Sequence, residues 1–179
     1  VKRRLVHLAP GEHFVGDARH RVRTLLGSCV SITLWHPASR VGAMSHFLLA
    51  DRPDPAPGRR RPSLDARYGT EALMLMLQDL ERLGITPRDC EAKVFGGAHM
   101  FPDWARQMPH QVGQRNGHAA LMLLGELGIE LVSSCLYGYG HRVIVFDIAS
   151  GDVWARQTEL DATRASRGTT TRPAPLEEA

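Results

Sequence analysis

The chain has 179 residues, 43% of them apolar and 23% charged, which is enough for one domain with a core and too little for two full ones. Its formal charge is only +3, and every basic residue except Lys2 and Lys93 is arginine, a balance that favours forked contacts to carboxylates or phosphates over diffuse attraction. Cys29, Cys90 and Cys135 are odd in number, widely spaced and without a CxxC pair, which excludes a disulfide framework and a four-thiolate zinc site.

The N-terminal stretch VKRRLVHLAPGEHF starts positive, as a signal peptide does, but no apolar run follows, and polar residues interrupt every later one. A cytoplasmic protein without membrane insertion is expected. Strand signals come first: RLVHL, then CVSITLW, in which Val30, Ile32 and Leu34 alternate with Ser31 and Thr33, then VGAMSHFLL across a reversal at HPASR. The proline-rich segment 52–62, RPDPAPGRRRP, reads as a mobile surface loop. Its arginine run lacks interleaved aromatics, so no nucleic-acid partner is expected.

From Tyr68 to Leu83, Leu73, Met76, Leu77, Leu80 and Leu83 recur at three- and four-residue steps and Gly84 stands where a helix stops. A second helix is predicted over 117–127, with Asn116 as its N-cap and Gly128 as its stop. Each helix runs through Leu-Gly-Ile toward a strand, EAKVFGG after the first and IELVSS after the second, either a duplicated unit or the ordinary way helices end. HRVIVFDI and DVWAR close the domain as a hairpin over ASG. Six or seven strands and two helices predict an α+β fold, a mixed sheet or a pair of sheets with helices packed outside. The residues from 158 onward cannot bury enough to offset ordering and read as a disordered tail, leaving 1–157 as a single domain.

The chemistry-bearing residues are Cys29 and His46. A cysteine attacks as its thiolate and needs a base or a positive dipole nearby. Gly27 and Ser28, just before it, allow a tight turn whose backbone N–H groups can face a developing oxyanion. With the reversal centred near 37 to 38, Cys29 falls opposite His46, and Val30 opposite Met44 or Ser45. The same residues also suit ordinary packing, since free cysteine is commonly buried and this histidine lies among Met44, Phe47 and Leu48. Cys90 and Cys135 read as packing residues.

LGSCV, His46 in GAMSHFLL, RYG at 67–69, AKVFGGAHMF at 92–101, VGQRN at 112–116 and GHRVIVFD near the last hairpin occur in one order, and together they resemble the CheD family. The resemblance implies a protein-glutamine deamidase that converts glutamines of methyl-accepting chemotaxis receptors to glutamate, with a methylesterase side activity. It implies Cys29 as nucleophile, His46 as base, no metal or organic cofactor, a fold like that of deamidating toxins, and binding by the chemotaxis phosphatase CheC. The family threonine stands six positions before the cysteine. Here that position is Arg23, and Thr24 is five back, so Thr24 faces the histidine only if a bulge or the Gly27 turn absorbs one residue. Gly96 and Gly97 wall the substrate cleft or make a tight turn, and Arg115 meets acidic receptor helices or forms a structural ion pair. His99 and Met100 receive no role. The alternative is a non-catalytic adaptor that binds receptors or CheC with a silent cysteine. A zinc protein built on the histidines lacks paired spacing.

Overall fold

The computed structural model describes residues 3–60, 62–100 and 112–158. Nine strands form two sheets: β1 Arg4–His7, β2 His13–Asp17, β3 His20–Leu26, β4 Val30–His36, β5 Val41–Ser45, β6 Glu91–Gly96, β7 Glu130–Leu136, β8 His141–Asp147 and β9 Asp152–Thr158. One sheet has the order β1-β3-β8-β9 and the other β2-β5-β4-β6-β7. Two helices, α1 Gly69–Arg82 and α2 Val112–Leu127, complete a mixed α+β fold, with a 3-10 turn at Pro87–Asp89 before β6.

Alternation on β4 divides the interior. Val30, Ile32 and Leu34 point to the helices, where they meet Leu73, Met76 and Leu80 of α1 and Ala120 and Leu124 of α2. Fully burying one such side chain stabilises by about 1.5–3 kcal/mol, so this core anchors both helices on the five-stranded sheet. Strand residues of the opposite phase look the other way. Met44 and Phe95 pack there against Val22, Leu26, Ile144 and Phe146 of the four-stranded sheet.

Both helices end alike. The N–H of Gly84 bonds to the Glu81 carbonyl and that of Ile85 to Leu80, while Gly128 and Ile129 repeat the pattern with Gly125 and Leu124. Gly84 and Gly128 take the left-handed backbone this motif requires, at φ 74° and 66°. The strands that follow, β6 and β7, lie parallel and adjacent. Leu83, expected on the apolar face, is the exposed C-cap instead.

Four expectations are corrected. Sequence patterning missed β2 and β3, so the strands number nine among the described residues. The β4–β5 turn spans residues 37–40, with the Arg40 N–H on the His36 carbonyl and Arg40 at φ 50°, which moves the pairing centre by one residue. Val30 therefore faces Phe47, and Thr33 faces Met44. α2 is already helical at Val112, so Asn116 lies inside it and is not its cap. Finally, Thr158 belongs to β9, while the rest of the expected tail, 159–179, lies outside the described residues. In segment 52–62 the described residues form no helix or strand, but Arg52 is tied to Glu71 at 2.5 Å and to the Ser63 carbonyl at 3.0 Å.

Candidate active site

β3 lies in one sheet and β4 in the other, so the chain crosses between sheets at residues 27–29. Strand alternation does not carry through such a crossing. Thr24 is thereby freed from the phase of Cys29: in β3 it points inward with Val22 and Leu26, while Arg23 is exposed. Its hydroxyl is 2.7 Å from the Leu8 carbonyl oxygen and 2.7 Å from His46 Nδ1. A carbonyl can only accept, so the Thr24 O–H donates to Leu8 and the Thr24 oxygen accepts from Nδ1–H of His46. This network assigns the tautomer in which Nε2 carries the free lone pair.

Val30 and Phe47 exchange backbone hydrogen bonds at 3.1 and 3.0 Å, which sets the two segments two residues away from the expected register. The Cys29 side chain packs against the inter-sheet cluster that includes Leu8, Val22 and Leu26, and His46 reaches the same side through Thr24, whose hydroxyl also meets the Leu8 carbonyl. The backbone of His46 is held from the other side, its N–H on the Glu12 carbonyl at 2.9 Å and its carbonyl accepting from Gly11 N–H at 2.7 Å.

Each carbonyl of the crossing is used. Gly27 O accepts from Ala98 N–H at 2.9 Å, Ser28 O from the Asn116 amide at 3.1 Å, and Cys29 O from Gly97 N–H at 2.9 Å. In a trans peptide the N–H points opposite to its C=O, so the Ser28 and Cys29 amides are turned away from these partners. Glycine is required at 96, where φ is 115° and a Cβ would stand 2.2 Å from the Cys29 carbonyl oxygen. At Gly97 a Cβ would meet the Gly113 carbonyl at 2.6 Å, and at Gly27 the Met100 sulfur at 2.6 Å.

Burial pushes the Cys29 thiol up, against the weaker pull of its own N–H. Burial also takes His46 down to about 4, opposed by the Leu8 carbonyl and the Glu12 carboxylate. Near neutral pH the two groups thus rest as thiol and neutral imidazole. Cys29 is half-buried, whereas Cys90 is buried in the helix-side core with its thiol raised to about 11 by burial and by Asp89. Cys135 is exposed on β7. Arg115 is exposed and makes no ion pair among the described residues. His99 stacks beside Tyr139, with ring centroids 5.7 Å apart. Among the described residues no three His, Cys, Asp or Glu side chains gather as a metal site.

Sequence reasoning missed Asn116 and Leu8. Nothing in the local pattern marks a backbone carbonyl as a histidine's anchor, and an asparagine near a glycine imitates a helix cap.

A half-buried thiol, an imidazole with its tautomer set by a hydroxyl, and two backbone amides left free by the turn before the cysteine are groups that cysteine enzymes of acyl transfer use. The family description "CheD chemotactic sensory transduction" matches residues 49–157, and this chain belongs to the CheD family. It is 59% identical over 85% of its length to a protein of Albidiferax ferrireducens named "Probable chemoreceptor glutamine deamidase CheD 2", covering 86% of that protein. A stretch of that extent includes Cys29 and His46. A Chromobacterium violaceum protein named "Probable chemoreceptor glutamine deamidase CheD 1" is 43% identical over 86% of this chain and 78% of its own. Among solved structures, a Neisseria meningitidis protein of the family DUF152 is similar over 75% of this chain and 64% of its own, at 12% identity and a TM-score of 0.42. No helix among the described residues is long and apolar enough to cross a membrane.

Proposed function

We propose that this chain hydrolyses the side-chain amide of glutamines on chemotaxis receptors, with Cys29 as nucleophile, His46 as general acid and base, and Thr24 as the residue that orients His46. The observation that carries the roles is the 2.7 Å contact between Thr24 Oγ1 and His46 Nδ1, made on the inter-sheet side against which Cys29 packs. The family and the names of its relatives carry the substrate class.

The Cys29 sulfur adds to the amide carbon as its proton passes to His46 Nε2. The carbonyl oxygen becomes negative beside the Cys29 N–H, with the Ser28 N–H as second donor. The C–N bond then breaks, His46 returns the proton to the departing nitrogen, and ammonia leaves a thioester. His46 deprotonates a water that attacks this thioester, the C–S bond breaks, the sulfur regains its proton, and glutamate is released. The same steps on a glutamate methyl ester release methanol, which extends the proposal to receptor methylesterase activity. Exposed Arg115 and the walls at Gly96 and Gly97 belong to the substrate cleft in this reading. The receptors' cytoplasmic parts are the partners and the cytoplasm is the compartment, with a fold akin to deamidating toxins and with CheC as a further binder. The adaptor alternative drew its support from the shifted threonine, and a Thr24 hydroxyl in contact with His46 withdraws that support.

Receptor cytoplasmic fragments incubated with the protein and analysed by mass spectrometry test this directly. Hydrolysis appears as a gain of about one dalton per converted glutamine, and Cys29→Ala abolishes it. A gain that persists in Cys29→Ala, or none with the wild type, refutes the proposal.

A further inference from the structure

The two strands that carry Cys29 and His46 stop pairing at the site. Val30 and Phe47 make the last mutual backbone hydrogen bonds, and beyond them the Leu48 N–H turns away to the Arg67 carbonyl at 2.9 Å. The carbonyls left at this open end are taken by one side chain. Asn116 Nδ2 donates to Ser28 O at 3.1 Å and to Leu48 O at 2.7 Å. Ser28 immediately precedes Cys29, and Leu48 follows His46 by two residues. Asn116 itself is 1% exposed. An asparagine amide has two N–H donors, and both are spent here, so α2 is fastened to the two strands at once.

Two glycines let α2 come this close. A Cβ at Gly113 would stand 2.5 Å from the Gly97 carbonyl oxygen, and one at Gly117 would stand 2.8 Å from the Tyr137 ring. These lie three residues before Asn116 and one after it. The helix can therefore descend until a short amide reaches both carbonyls.

We propose that Asn116 is a positioning residue that sets the separation of Cys29 and His46 and the aim of the Cys29 amide. It touches neither sulfur nor substrate. It acts through two peptide groups: turning the Ser28 carbonyl toward α2 turns the Cys29 N–H the opposite way, and holding the Leu48 carbonyl fixes the chain that follows His46. Small displacements of reacting groups are costly, about 10²-fold for a misplacement near 1 Å, so the loss of such a fastening is felt in the chemical step. The inference rests on the proposed pairing of Cys29 with His46.

The test uses the full chain with Asn116→Ala, which removes both donors, and Asn116→Gln, which keeps them on a longer arm. Iodoacetamide labelling of Cys29 is followed from neutral to alkaline pH with Cys135 of the same chain as internal standard, beside kcat and KM on receptor fragments and a thermal melt. The expected result for Asn116→Ala is a loss of about tenfold or more in both Cys29 labelling and kcat, with KM and Cys135 labelling unchanged and partial recovery in Asn116→Gln. A folded Asn116→Ala protein with wild-type Cys29 labelling and kcat would overturn the inference. So would loss of a cooperative melt in both variants, which makes Asn116 a folding residue. If wild-type Cys29 labelling is indifferent to His46→Ala, the underlying pairing fails instead, and that failure is visible before Asn116 is altered.

Discussion

Thr24 Oγ1 stands 2.7 Å from His46 Nδ1, with Thr24 in the four-stranded sheet and His46 just past the end of β5 in the five-stranded one. The contact joins the sheets at the point where the chain crosses between them. Because the Thr24 proton is committed to Leu8, the hydroxyl works as an acceptor that keeps the imidazole proton on Nδ1. Thr24→Val keeps the shape and removes that acceptor. It should lower kcat on receptor fragments by roughly 10²-fold, within the range a general base contributes, with KM nearly unchanged. Thr24→Ser should retain most of the rate.

The resting state of the pair has a signature in pH. Burial raises the Cys29 thiol and lowers His46 to about 4, so thiolate and imidazolium do not coexist at rest. Labelling of Cys29 should therefore keep rising with pH through the alkaline range and should show no plateau beginning in weak acid. A plateau extending down to weakly acidic pH in a stopped-flow titration would mean a preformed ion pair and would contradict this arrangement.

His46 also links stability to acid. Its pKa falls from 6.5 in the unfolded chain to about 4 in the folded one. Below 6.5 the unfolded chain binds a proton that the native state refuses until about 4, so the stabilisation is complete above 6.5 and is lost as pH falls through that window. The difference corresponds to about 3 kcal/mol. Urea unfolding at several pH values should show wild-type stability falling between these limits more steeply than that of His46→Gln; parallel curves would contradict the buried, neutral imidazole.

Gly96→Ala tests the backbone wall around Cys29. The new Cβ would meet the Cys29 carbonyl oxygen at 2.2 Å in a left-handed conformation, and the obstacle is backbone that cannot swing aside. A loss of about 2 kcal/mol or more in chemical denaturation is expected, with disturbed Cys29 labelling. Gly84→Ala makes a useful comparison, because that position also has positive φ but open space around it, so only the conformational cost remains.

The parts of the fold with strong periodicity were legible. Helix α1 follows from Leu73, Met76 and Leu80, and β4 from the alternation of Val30, Ile32 and Leu34. β3 was missed although Val22, Thr24 and Leu26 also alternate, because three arginines at 19, 21 and 23 crowd the same stretch and hide a half-buried strand in a polar one. β2 gave no contrast at all, since each of its five residues is half-buried. For the site, the turn preceding Cys29 and the histidine just past β5 stood out by residue type. Their pairing was placed two residues off, because the register depends on how many residues the 37–40 turn consumes, and a side-chain pattern does not count them.

The order of side chains along the chain determined which groups exist here: a thiol after a Gly-Ser turn, an imidazole just past the next strand, and the helices and alternating strands able to bury them. What it could not decide is where Thr24 points, since the face of a residue follows strand phase only within one sheet, and the chain changes sheets between Thr24 and Cys29. Nor could it place Asn116, eighty-odd residues away, whose amide meets two carbonyls that become neighbours only when α2 settles against Gly97. Local propensity acts over a turn or a strand pair, whereas hydrogen bonds between distant segments are fixed by packing, and the tertiary structure alone chose them.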